Sequence, residues 1–132
     1  MKRLFLAIFT LLLLGACSRS VKFDIDGLLI ENAASKVYLV VEGATIDTLA
    51  SAKVGTDNKF CLRGEVAEPT TAFVCDDNGN ALTILLLEEA QLYLRPIPTG
   101  GYIAEGGPIN DTYNFVIQRL SDVAMQLAKL DY

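Results

Sequence analysis

From residue 21 to about residue 103 the chain is cut into short apolar runs, each closed by turn-forming residues before a helix of ordinary length could develop. The runs fall at 21–29, 36–41, 45–54, 59–66, 71–75, 81–88, 91–97 and 102–105. They are rich in β-branched and aromatic residues, with Gly or Asn-Asp clusters between them, which is the pattern of successive strands. Phe23 and Ile25 alternate with Asp24 and Asp26, and Phe60, Leu62 and Val66 alternate with Cys61, Arg63 and Glu65. Period-two alternation gives a strand one wet face and one dry face, and dry faces must be buried against each other. The expected fold is mainly β: an antiparallel β-sandwich of about seven or eight short strands over residues 21–107, then one C-terminal amphipathic helix. Residues 82–87 are almost continuously apolar, so that run is expected to be a central strand covered on both sides.

The turns agree with these cuts. Thr56-Asp57-Asn58-Lys59 and Asp76-Asp77-Asn78-Gly79-Asn80 tolerate left-handed backbone and read as hairpin loops. Calcium is the other reading of the second cluster, but the spacing and closing Glu of an EF-hand loop are missing, which favours a turn. Gly100-Gly101 and Gly106-Gly107-Pro108 match no phosphate-binding fingerprint and also read as turns. After Pro108 the period lengthens. Tyr113, Val116, Ile117, Leu120, Ala124 and Leu127 recur at helical spacing behind a cap at Asn110 or Asp111, predicting a helix from Asp111 to Leu130 within a segment 108–132. Its stripe must be covered by its own sandwich, by a further domain or by a second copy. Its own sandwich is the ordinary expectation.

The N-terminus carries a different signal. Lys2 and Arg3 precede an apolar run at 4–14, followed by Gly15, Ala16 and Cys17. Such a run is well short of the roughly 20 residues that span a bilayer as a helix. Leu14-Gly15-Ala16-Cys17 resembles a bacterial lipobox, which implies a signal peptide at 1–16, lipidation of Cys17 and a short tether at 17–20. Stable attachment through acyl chains would hold a folded domain at a membrane. The expected site is the cell envelope, with the outer membrane facing the periplasm preferred because no acidic residue follows Cys17 directly.

Charge and residue types narrow the chemistry. The chain has 11 basic and 16 acidic residues, and removing 1–16 takes away two of the basic ones. Clustered Lys and Arg are absent, so nucleic acid is not an expected partner. There is no His, which removes Ser-His and Cys-His dyads and imidazole metal ligands. No catalytic, cofactor-binding or metal-binding residue is expected, and no cofactor. Glu88 and Glu89 are the nearest approach to a carboxylate pair, but adjacent strand residues point to opposite faces, so a solvated strand end is the better reading.

Of the three cysteines, Cys61 and Cys75 remain for the folded part. If the strand ending at Val66 turns through Ala67-Glu68-Pro69 and returns from Thr70, antiparallel register sets Cys61 opposite Cys75. A disulfide there would stabilise by roughly 3 kcal/mol in the chain-entropy model. The alternatives are two small apolar fillers, or two strands that belong to different sheets.

Phe23-Asp24-Ile25-Asp26-Gly27, Val37-Tyr38-Leu39, Ile46-Asp47-Thr48, Lys59-Phe60-Cys61-Leu62-Arg63-Gly64, Pro69, Leu87-Glu88 and Gly106-Gly107-Pro108-Ile109-Asn110-Asp111 together resemble the domain of unknown function 4369. That family is a β-rich N-terminal module of Bacteroidota lipoproteins, many of which continue into a thioredoxin-like thiol-disulfide oxidoreductase domain. The similarity covers roughly residues 21–115. It implies a fold and carries no catalytic residue, and the Cys-x-x-Cys of a thioredoxin site is absent. Three expectations follow, in order. The first is a non-catalytic accessory module of a thiol-disulfide oxidoreductase, joined to a thioredoxin-like domain or protein partner through the C-terminal helix. The second is a stand-alone envelope lipoprotein that binds a peptide, glycan or protein, and a distant third is an enzyme using its carboxylates.

Overall fold

The computed structural model of the chain describes residues 19–130, so residues 1–16 and the lipobox Cys17 lie outside the described residues. Eight strands follow one another: β1 (Val21–Leu28), β2 (Lys36–Glu42), β3 (Ile46–Lys53), β4 (Lys59–Val66), β5 (Thr70–Cys75), β6 (Ala81–Leu87), β7 (Gln91–Pro96) and β8 (Tyr102–Glu105). One helix, α1 (Pro108–Leu130), closes the chain. The strands form two four-stranded sheets, in the orders β4-β1-β7-β8 and β3-β2-β5-β6. The fold is therefore mainly β, two packed sheets followed by one helix.

Alternation decides what lies between the sheets. Phe23 and Ile25 of β1, Leu62 of β4 and Leu92 and Leu94 of β7 point inward from the first sheet, and Val37, Leu39, Val74, Leu85 and Leu87 from the second. Ile25, Leu39, Leu62 and Leu92 are at most 1% exposed. At about 1.5 to 3 kcal/mol for each such side chain withdrawn from water, this core is the main stabilising term. Two glycines make room for its aromatic rings. Gly27 lies opposite Phe60 and Gly64 opposite Phe23 in the β1–β4 register, and a Cβ at Gly27 would fall 2.1 Å from the Phe60 ring.

Several sequence expectations need correction. All pairings are antiparallel except β1 with β7, which run parallel, so the first sheet is mixed. The apolar run at 82–87 is β6, an edge strand of the second sheet and not a central one. Its inward residues Leu85 and Leu87 enter the core, while Ile84 and Leu86 meet the root of α1, so both faces are apolar for different reasons. The segment 54–58 is a crossing between sheets, with Asn58 left-handed at φ 62°, so of the two loops read as hairpins 76–80 is one and 54–58 is not.

The hairpin proposed for 59–75 does not form either. β4 pairs with β1, placing Cys61 opposite Asp26, whereas β5 pairs with β2 and β6, placing Cys75 opposite Tyr38 and Ala81. Cys61 and Cys75 sit on the outer faces of different sheets, and both are free thiols. Ala67-Glu68-Pro69 carries the chain across the sandwich, so the cross-strand register that would oppose the two sulfurs has no pair of strands to act in.

Candidate functional site

The joint between β6 and α1 is the most organised polar feature of the domain. α1 begins at Pro108, earlier than the cap at Asn110 or Asp111 foreseen from sequence, and the carbonyl of Gly107 accepts from the Asp111 N–H at 2.9 Å. Pro108 has no N–H to satisfy and suits the first helical position. Gly107 has no side chain with which to cap the next two amides. Glu88, just past the end of β6, supplies the acceptor instead. Its carboxylate takes the Ile109 N–H at 3.0 Å, the Asn110 N–H at 3.1 Å and the Asn110 side-chain amide at 3.2 Å. A negative group at a helix N-terminus also meets the positive end of the helix dipole. Glu88 is 4% exposed, so the solvated strand end expected for it is not what forms. A Cβ at Gly107 would lie 1.8 Å from the Glu88 carboxylate, which explains the glycine there.

Asn110 completes the joint. Its side-chain oxygen accepts the Leu86 N–H at 2.9 Å, and its amide donates to the Leu86 carbonyl at 2.8 Å. One side chain thus plays the part of a neighbouring strand on the open edge of β6. Asp111 reaches back to accept the Gly106 N–H at 2.9 Å, and the Asn114 amide donates to the Ala104 carbonyl at 2.7 Å. With three donors on its carboxylate, Glu88 is a structural acceptor, and Glu89 beside it is exposed. The pair does not face a common substrate position. Sequence reasoning missed the role of Glu88, although a helix starting Gly-Pro with no capping side chain of its own signals that an acceptor must come from elsewhere.

The free thiols are poor nucleophiles. Cys61 lies between Asp24 and Asp26, with Sγ 3.9 Å from the Asp24 carboxylate. Burial first, then hydrogen bonding to and the charge of Asp26, push its pKa up to about 11, against a smaller opposing effect of Arg63. Burial, followed by the charges of Asp76 and Glu42, also raises Cys75. Donor atoms of Asp24, Asp26 and Cys61 lie within 4.8 Å of one another. Both carboxylates have protein partners, Arg63 on Asp24 at 3.1 Å and Gln91 on Asp26 at 3.3 Å. In the 76–80 loop Asp76 accepts the Asn78 N–H at 2.9 Å and the Asn80 N–H at 2.8 Å, and Asp77 accepts from Ser35. This is the turn the sequence indicated.

Among the surfaces of the described residues, two stand out as places to meet another molecule. On the outer face of the second sheet a shallow groove of about 390 Å³ is lined by apolar Tyr38, Val40, Ile46 and Phe73 and by acidic Glu42, Asp76 and Asp77. The other is α1. Only Asn110 of its residues is fully buried, and Val116, Ile117, Leu120 and Leu127 are 46% to 61% exposed. The ordinary expectation, that this stripe packs on its own sandwich, is overturned: the sandwich holds the helix at its root and leaves the rest uncovered. No helix among the described residues is long and apolar enough to cross a membrane. Comparison with protein-family models, with curated proteins and with solved structures gives no match to this chain.

Proposed function

We propose that this chain is a lipid-anchored, non-catalytic β-sandwich module of the cell envelope, held at a membrane through Cys17, with α1 as the element that joins it to a protein partner. The observation that carries this reading is the uncovered apolar stripe of α1 on a helix whose root is firmly fixed by Glu88 and Asn110. Most helical stability in proteins comes from packing an amphipathic face, and α1 has that face without a cover among the described residues. The stripe therefore has a use only when something covers it. The resemblance to the N-terminal module of lipoprotein thiol-disulfide oxidoreductases supplies a context: an accessory part of a thiol:disulfide interchange system, with α1 as spacer and docking element beside a thioredoxin-like partner. The raised pKa of both thiols, through burial and neighbouring carboxylates, and the engagement of Glu88 by the helix amides support a non-catalytic role.

The test is fractionation of the full-length chain expressed in a bacterium. Wild type is expected with the membranes, and Cys17→Ser in the soluble fraction or as unprocessed protein. A Cys17→Ser variant that is processed and stays membrane-bound like its parent overturns the anchor.

The groove on the second sheet favours a second reading, a stand-alone envelope lipoprotein that binds a peptide, glycan or protein there. A lining of apolar side chains with the acidic Glu42 and Asp77 among them suits a ligand carrying both an apolar group and positive charge. Under that reading Phe73→Ala lowers ligand affinity and Leu120→Asp does not.

A further inference from the structure

The exposed face of α1 has a more specific pattern than amphipathicity. Tyr113, Leu120 and Leu127 are seven residues apart, and Ile109, Val116, Val123 and Leu130 form a second series of the same period between them. Alternating spacings of four and three, kept from 109 to 130 without a break, are the a and d positions of a coiled-coil seam, which asks for another helix rather than a flat surface. From Phe115 onward every large apolar side chain of α1 is 46% to 79% exposed, so this seam is open.

We infer that the occupant of the seam is α1 of a second copy of this chain, packed antiparallel. The inference rests on the reading of α1 as the docking element and names what it docks to. Self-complementarity is the first reason. When Leu120 of one copy is set against Val123 of the other, Val116 meets Leu127 and Tyr113 meets Leu130, so every layer joins an a residue to a d residue, and Leu faces Val in two of the three. In the same register Arg119 and Gln126 flank the seam on facing sides of the two copies, a polar edge to the apolar layers.

Geometry gives the second reason. Each sandwich sits at the N-terminal end of its helix, and helices in contact lie about 8 to 10 Å apart. Two sheets stacked about 10 Å apart, with side chains outside them, are wider than that spacing, so a parallel pair would force the two sandwiches together. The antiparallel pair sends them to opposite ends. The stretch from Tyr113 to Leu130 is about 25 Å long, so it fits between them. Its end also has somewhere to go. An apolar pocket at the root of α1, lined by Thr71, Ile84, Leu86, Ile109 and Tyr113, lies where Leu130 of the second copy arrives. Ile84 there is 39% exposed, and the seam runs directly into this patch.

Size and charge complete the case. At roughly 100 Å² of exposed surface for each large side chain, two such faces bring together on the order of 1,200 Å², the lower end of a specific, stable interface. Asp111, Arg119, Asp122 and Lys129 leave the helix without net charge. A helix that lies on a membrane surface carries a basic polar face, so an anionic lipid surface is the poorer occupant.

The test uses the full-length chain in the cellular fraction where it is recovered, with Val116→Cys and Leu127→Cys made as separate variants. Both sites lie beyond the root of α1, and an unchanged melting temperature verifies the sandwich in each. Mild oxidation of the two co-expressed variants is expected to give a disulfide between position 116 of one chain and position 127 of the other, identified by peptide mass and so distinct from Cys61 and Cys75. Each variant alone is expected to cross-link several-fold less, and adding Leu120→Asp to both is expected to abolish the 116–127 link. Homodisulfides at either position would mean a parallel pair and overturn the proposal. So would absence of the link, whether both thiols react freely with maleimide or are shielded. Shielding without the link would mean that another protein or lipid covers α1, leaving the docking role intact while the second copy fails as its occupant.

Discussion

Replacing Glu88 by alanine removes the acceptor of the first backbone amides of α1. The Ile109 and Asn110 N–H groups lose their side-chain acceptor, and the Asn110 side-chain amide loses one of its two, keeping the Leu86 carbonyl. Loss of a helix N-cap costs about 1 kcal/mol and up to about 2. A buried donor left without an acceptor costs about 1 to 3 kcal/mol. Water entering the space of the lost carboxylate offsets part of this, so the expected destabilisation is about 3 kcal/mol, a large share of the roughly 5 to 15 kcal/mol that holds a domain together. For a domain of this size that corresponds to a melting temperature lower by roughly 10 to 20 °C. Glu88→Gln keeps the shape and one acceptor but loses the charge at the helix dipole, and about 1 kcal/mol is expected. Thermal and urea unfolding followed by circular dichroism measure both. Amide exchange adds a local reading, because Asn110 covers the Leu86 N–H only while the joint is closed. The Leu86 amide is expected to exchange faster in Glu88→Ala. A variant within about 0.5 kcal/mol of the parent, with Leu86 still protected, would refute this account of the joint.

Insulin reduction by the purified protein is expected not to exceed that of a variant lacking Cys61 and Cys75, since the thiolate is the nucleophile. Alkylation of Cys61 is expected to be slow at neutral pH and to accelerate as pH rises toward about 11, and fast alkylation at pH 7 would contradict its acidic setting. The loop at 76–80 makes an acid-side prediction. Hydrogen bonds from Asn80 lower the pKa of Asp76, and the Ser35 hydroxyl lowers that of Asp77, so each stabilises the fold above the ordinary carboxylate value of 3.8. That contribution is lost as pH falls through the lowered folded-state values. Asp76→Asn is expected to flatten this part of the stability curve, and an unchanged acid limb in urea unfolding would show that the loop does not report on the fold.

Local patterns reached as far as local physics does. The alternation of Phe23 and Ile25 with Asp24 and Asp26 specified both the strand and its buried face, because one sheet face is dry whatever the neighbouring strand is. Which strand lies next to which was less legible. Nothing in Ala67-Glu68-Pro69 announces a crossing between sheets in place of a hairpin, and the Cys61–Cys75 register failed there. The run at 82–87 misled because continuous apolarity does not distinguish a central strand from an edge strand whose outer face flanks a helix root, with Ile84 left 39% exposed. Residues whose roles depend on distant partners were the least legible. Glu88 and Asn110 are 22 positions apart, and neither carries a mark of the other. Along α1 the stripe itself was plain in the sequence, but its exposure was not, since periodicity gives the direction of an apolar face and not what lies opposite it.

Hydrogen exchange over residues 115–130 of the full-length chain, measured in the fraction where it resides, tests the docking role of α1 most directly. A helix standing alone frays and exchanges fast, whereas a covered one does not. Slow exchange along this segment is expected in the wild type, and fast exchange in Leu120→Asp with the melting temperature of the sandwich unchanged. Wild-type amides that exchange as fast as those of the variant would mean that nothing covers α1, and would contradict its assignment as the surface through which the module works.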